Sequence, residues 1–292
     1  MEKCLDDTRA TLTSMLRELL DDISTTLLKI GKPIIVVDDY RWFVESLSLM
    51  AKQVSLCRAC MTLLDENAVQ EAYLLVRSQF NNLLWIKYLV NDIDGTHLNE
   101  FIAQPIINQI FKDQKLIEML PQLDEKFRKS IDDLCNGDAK SLMRQRIEDC
   151  EKELNKLGVH ERKPKSIFKL AEKDEDLYRM YITLYMDGSK FEHSEISTVA
   201  RYRNEILPEY SNKVAFKFEL DRDETLWDRV LMYSRMCLFH SYEAIKTKIL
   251  CSERHLLDDG GFPKAPYCEE ALKAIDMKFF CFQKAIEELK TP

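Results

Sequence analysis

Between Ala68 and Val90 the chain reads as one helix with no polar face. Tyr73 to Val76, Phe80, Leu83 to Ile86, Tyr88 and Leu89 place apolar side chains all the way round it. Such a helix is stable only when other helices surround it. The rest of the chain must therefore supply its neighbours, and helical periodicity dominates elsewhere too. From about Asp7 to Ile30, Leu12, Leu16, Leu19, Ile23 and Leu27 recur at three- and four-residue steps, and Gly31 and Pro33 end the segment. Ile34 to Val37 is a short β-branched run, either a strand or a buried link. Asp38 or Asp39 then caps a second helix running to about Leu64.

Beyond the central segment, from Leu98 to Leu157, charge rises and Pro105 and Pro121 interrupt. Ser141 to Leu157 alternates charges of both signs, as a solvent-exposed helix does. This stretch is expected to be a peripheral helical excursion near 98–157. Gly158 to Lys165 is a basic loop. Two shorter helices follow, about Ser166 to Glu172 and Glu175 to Met186, with a break expected at Asp187-Gly188. Thr198 to Ile206 is expected to be helical, and Val214, Phe216, Phe218 and Leu220 alternate as a strand does. Long helices near 224–251 and 269–289 complete the chain. The fold expected is all-α: a single domain, 1–292, built as a multi-helix bundle around a buried central helix, with at most a short β element.

Composition narrows function. Seven Gly and eight Pro in 292 residues are too few for turn-rich sandwiches, propellers or dinucleotide-binding sheets. A net charge of −8 argues against a broad nucleic-acid-binding face, yet leaves room for a local phosphate site. The acidic start lacks the apolar core of a signal peptide, and no aliphatic run is long enough to span a bilayer. Nine cysteines, an odd number, suit a reducing compartment. A cytoplasmic location with no membrane partner is expected.

Chemistry-bearing motifs are few. Cys57-Arg58-Ala59-Cys60 has the spacing of a redox or zinc pair, but no second pair completes four ligands and no βαβ context surrounds it. Glu-x-x-His pairs and glycine-rich phosphate loops are absent, so no metal or cofactor is expected. Arg235 and His240 fit a loose Arg-x(4 to 6)-His pattern that a chain of this composition produces about once by chance. The informative residue is Arg77, set in the most apolar stretch with Asn81 one turn later. A buried guanidinium demands an anionic or multiply accepting partner. The segment from Asp187 to Glu195 offers carboxylates, hydroxyls and the imidazole of His193. Two readings are open: an ion pair that pins the bundle, or a pocket where Arg77 binds an anionic group and His193 handles a proton.

Two blocks carry a resemblance. Leu74-Leu75-Val76-Arg77-Ser78-Gln79-Phe80-Asn81, running on to Leu89, resembles the Arg-Ser-x-x-Glu helix of a bacterial helical domain family of unknown function. That family's second block, a Tyr-rich helix followed by Ser-x-x-x-His, is matched by Tyr178, Tyr181, Tyr185 and then Ser189 to Ser194. Asn81 departs from the family pattern, which usually has Glu there. The family's architecture looks similar to HEPN-like bundles, many of which are ribonucleases in toxin–antitoxin and phage-defence systems. The resemblance thus implies a metal-independent endoribonuclease or toxin, with His193 as base, Arg77 as cation, and Ser189 and Glu192 in the same site. Arg179, Arg201, Arg203, Lys163 and Lys165 would contact RNA, and a homodimer would complete the site. The alternative is a non-catalytic binding or sensor module for a protein partner, such as an antitoxin, or a small anionic ligand.

Overall fold

The structure, a computed structural model, describes residues 2–36, 40–135, 137–192, 203–206, 215–218, 226–256 and 267–290. Helix α1 (Glu2–Asp22) runs into a π-helical turn (Ile23–Leu27), and Gly31 follows with φ +81°, a left-handed conformation that favours glycine. The run from Ile34 to Val36 forms no strand and is a half-buried link. The expected caps Asp38 and Asp39 lie outside the described residues. Next come α2 (Arg41–Asp65), α3 (Val69–Leu89), α4 (Thr96–Met119), α5 (Glu125–Leu134), α6 (Ala139–Lys156), α7 (Ile167–Ala171) and α8 (Glu175–Met180). A second π-helical turn (Tyr181–Tyr185) joins α8 to α9 (Met186–Glu192). Strands β1 (Arg203–Ile206) and β2 (Ala215–Phe218) pair antiparallel, Arg203 opposite Phe218 and Ile206 opposite Ala215. Helices α10 (Trp227–Leu256) and α11 (Glu269–Lys290) end the described chain. The protein is an all-α multi-helix bundle with, among the described residues, one short antiparallel pair of strands.

Three expectations are corrected. Arg203 to Ile206 is strand and not helix, because it has β2 to pair with. Pro105 lies inside α4, where it removes one backbone donor. Helix packing compensates: Ala103, Ile107 and Ile110 form a buried stripe with Leu154 of α6. The helix also continues through Asp187-Gly188 to Glu192 where a break was expected, for a reason of packing given below.

The chain divides into two compact units, one of residues 1–90 with 170–292 and the other of residues 91–169. In the first, α3 is the central helix. It packs on α2, α10 and α9, and Val69, Ala72, Val76, Phe80, Leu83 and Leu89 are wholly buried. Its few buried polar groups help to fix the helices' register. Gln79 Nε2 donates to Ser234 Oγ of α10 (3.1 Å), Ser234 lies 3.4 Å from Cys60 Sγ of α2, and that thiol donates to the Ala72 carbonyl. α1 packs against α11, and Tyr267 donates to the carbonyl of Leu27 in the first π-turn at 3.0 Å.

In the second unit, α4 and α6 face each other over the apolar cluster named above. Asp113 of α4 is fully buried there and Arg146 of α6 grips both its oxygens, Nε at 2.6 Å, with Gln109 adding a third bond. Burial pushes this carboxyl up, but the Arg146 and Gln109 hydrogen bonds and the Arg146 charge outweigh it and hold it below the ordinary carboxylate range. A depressed pKa means that the pair stabilises the fold above the unfolded carboxylate's pKa, about 4. That contribution is lost as pH falls through the folded value. Removing one partner of a buried pair costs about 3–5 kcal/mol. Arg146→Met is expected at the low end, since Arg146 is 44% exposed and water screens it. Hydrogen exchange of α4 and α6 amides checks this: protection should fall at pH 7 in the variant, and in wild type only on acidification.

Candidate functional site

Arg77 projects from α3 towards the joined helix α8–α9, and it is half-buried rather than sunk. Its Nη2 donates to the hydroxyl of Tyr185 at 2.9 Å, and its Cζ lies 4.4 Å from the centre of the same tyrosine ring. Tyr185 stacks in turn on Tyr181, with centroids 5.2 Å apart and planes within 18°. A guanidinium and two phenol rings thus form one short stack. Cation–π contact of this kind is worth about 0.5–2 kcal/mol, more when shielded from water.

The local backbone explains the stack. Tyr181 to Tyr185 is a π-helical turn with the two rings, four residues apart, on one side of it; such turns are frequent at functional sites. Gly188 sits one turn later, where a Cβ would come 3.3 Å from Arg77 Cβ and 3.4 Å from Tyr73 Cε1. Glycine is therefore a contact residue here, not a helix breaker. It lets α9 lie directly on α3, with Tyr185 within reach of Arg77. Helix propensity is given up for that approach, about 1 kcal/mol relative to alanine.

Around the stack the chemistry is phenolic and charged. Tyr73 is buried, and its hydroxyl is pushed well above the usual range, first by burial, then by the Tyr233 phenol and the Asp187 carboxylate, with Arg229 opposing. Its proton stays on. Asp187 pairs with Lys190 at 2.9 Å. Because Tyr185 accepts the Arg77 proton donor, its own O–H remains oriented to donate elsewhere. A cation, a phenol donor and a flat aromatic surface stand side by side, a combination suited to a phosphate-bearing ligand with a ring.

The other expected residues divide. Ser189 lies on α9, half-buried, one residue past the close contact. Glu192 ends α9, and its side chain, like that of Arg203, is outside the described residues, as are His193 and Arg201 entirely. Arg179 of α8 is exposed and pairs with Glu175. Lys163 and Lys165 belong to the 91–169 unit. Lys163 is exposed, while Lys165 pairs with Glu100 and donates its backbone N–H to Gln104 at 2.7 Å. Sequence reasoning missed Tyr185 and Tyr181 as Arg77's partners. The signal was present as two tyrosines four apart, a spacing that sets side chains on one face of a helix.

The competing motifs read as structure. Cys57 and Cys60 are buried; burial first, and then Cys60 and Cys237, push the Cys57 thiol well up, and Cys60 is pushed up to about 12 by burial with Ser234 opposing. Neither is a thiolate near neutral pH. Among the described residues no group of three or more His, Cys, Asp or Glu is placed to hold a metal ion. Arg235 lies among the rings of Phe239, Phe279 and Phe282 and donates to the Phe279 carbonyl at 3.1 Å. His240 packs edge-on to the same Phe239 ring, centroids 5.3 Å apart. Its pKa is held down first by burial and then by the Lys87 charge, with Asp176 and Asp174 opposing and Arg235 adding to the fall. Among the described residues no helix is long and apolar enough to cross a membrane.

Gly188→Val tests the close approach. The added branch cannot fit at 3.3 Å, so α9 must shift from α3, at a cost of about 1–3 kcal/mol typical of overpacking. Urea unfolding measures the loss. The account further expects the Tyr181 and Tyr185 ring signals to move in an NMR spectrum of the variant, whereas Gly188→Ala should perturb them less.

No curated protein and no solved structure is significantly similar to this chain. One family model does match, over residues 46–206, more than half of the chain and the whole span that carries Arg77, the tyrosine stack and Gly188. The chain accordingly belongs to DUF5677, a family of unknown function.

Proposed function

We propose that the α3–α9 face binds single-stranded RNA, with Arg77 and the Tyr185 hydroxyl on a phosphate and the tyrosine stack against a base. The observation that supports this most is the Arg77–Tyr185–Tyr181 stack. It joins in one place the two things single-stranded RNA presents, charge and flat rings. The activity that follows is metal-independent cleavage. His193 takes the 2′-hydroxyl proton, Arg77 offsets charge on the phosphorane, and Ser189 and Glu192 assist. What favours it is that Gly188, five residues before His193, lies against the base of the Arg77 side chain. Arg179, Arg201, Arg203, Lys163 and Lys165 are the further phosphate contacts in this reading. A homodimer acting as a toxin in a bacterial defence or toxin–antitoxin setting is its natural context.

A second reading, a non-catalytic module that senses a protein partner or a small anionic ligand, is favoured by two features. The net charge of −8 weakens attraction for a long polyanion, and Asn81 stands where a carboxylate is usual in the related helices.

Incubating the purified protein with a labelled single-stranded RNA in EDTA tests both. Binding should weaken about tenfold in Arg77→Gln, the scale expected when one charge-assisted contact is lost. Binding should also fall with added salt. Cuts that vanish in His193→Ala with binding retained establish the nuclease. Binding with no cuts favours the sensor module, and no binding under low salt removes the RNA reading.

A further inference from the structure

A second cationic place lies between α1 and α2, in the first unit. Two adjoining hollows open there, of about 300 and about 360 Å³, and both are lined by Arg17. The first also has Arg58, Asp21, Leu20 and Met61; the second has Arg9, Thr13, Asp65 and Trp227. Three guanidiniums line the pair, each with one carboxylate within reach: Asp228 for Arg9, Asp65 for Arg17 and Asp21 for Arg58.

The first π-turn builds one end. Its Ser24 is buried and donates to the Leu20 carbonyl at 2.6 Å, which leaves its oxygen to accept from Arg58 Nη2 at 3.2 Å. Arg58 also holds Asp21 at 2.8 Å. Its side chain is thus aimed by a π-helical distortion of α1, not left to wander. At the other end Arg9 stacks 5.1 Å from the centre of the Trp227 ring, with its Nε 3.7 Å from Asp228. Between them Arg17 pairs with Asp65, both about half exposed. Exposed ion pairs of this kind are weak and exchange readily. A phosphoryl group carries more charge and more acceptors than the carboxylate it would displace, and guanidinium matches it in a two-pronged fork.

We propose that this groove binds a small molecule carrying two or more phosphoryl groups, with Arg17 shared between them. Its size is that of a small-ligand cleft. The acidic remainder of the chain disfavours a long polyanion and does not disfavour a short one that meets only the groove. The site is separate from the Arg77 face, so the two can fail independently.

Inorganic pyrophosphate is the probe, followed by Trp227 fluorescence and by calorimetry on the whole chain. Saturable binding is expected, weakened roughly tenfold or more in Arg17→Gln and in Arg58→Gln, as loss of a charge-assisted contact predicts. Orthophosphate should bind more weakly. Arg77→Gln should bind pyrophosphate as wild type does, which separates this groove from the RNA-binding face. Trp227→Phe should lose the optical signal and keep the calorimetric one. Thermal melts without ligand check that each variant folds, and if Arg17→Gln does not, Arg58→Gln carries the test. An absence of saturable binding overturns the proposal, as does binding that both arginine variants leave intact or that sulfate at equal ionic strength reproduces.

Discussion

A helix as apolar as α3, with Val69, Ala72, Val76, Phe80, Leu83 and Leu89 wholly buried, cannot exist alone in water. Its burial sets what every neighbouring element must do: α2 and α10 cover most of it, and α9 covers the side that carries Arg77. That side poses an electrostatic problem. A guanidinium on a largely apolar helix needs a partner that compensates it without a second desolvated charge, and a phenol does so through its oxygen and its ring face together. Tyr185 meets both needs because the π-turn sets its ring and Gly188 lets its helix come close.

The same device recurs in the chain. Two π-helical turns occur among the described elements, at Ile23–Leu27 and Tyr181–Tyr185, and each lies beside an arginine held by a hydroxyl. Ser24 receives Arg58 and Tyr185 receives Arg77. In both places an extra residue in the helix turns a neutral acceptor towards a cation. A neutral acceptor aims a guanidinium and leaves it donors for other partners, as Arg58 shows in also holding Asp21. Buried ionic pairing is used where the need is structural, as at Asp113 and Arg146 in the other unit.

Much of the fold was legible because helical periodicity is a strong signal over long segments. The central helix and the boundaries of α2 and α3 follow from apolar spacing alone. The burial of α3 is not all-round, however: Glu71 is exposed and Leu74, Leu75, Trp85 and Tyr88 are only half-buried along one stripe. Two errors had one cause, reading a local breaker as decisive. Pro105 and Gly188 both disfavour helix, yet tertiary packing holds each inside one. Arg203 to Ile206 pairs with the next strand, Ala215–Phe218, and that pairing leaves little trace in the spacing of its own four residues. At the site, the need of Arg77 for a partner was legible from its apolar setting. The identity of that partner was not, since Tyr185 reaches Arg77 only through the tertiary approach of α9 to α3. The expected depth of burial was also overstated: Arg77 is half-buried, as long side chains that snorkel from an apolar helix often are.

The most direct test is a double-mutant cycle between Arg77 and Tyr185, with Arg77→Met, Tyr185→Leu and the double variant compared by urea unfolding. If the guanidinium and the phenol form one unit, the two losses are not additive, and the coupling is about 0.5–2 kcal/mol. Losses that simply add would mean that the two side chains lie near each other without acting together, and the binding face built on them would have no foundation.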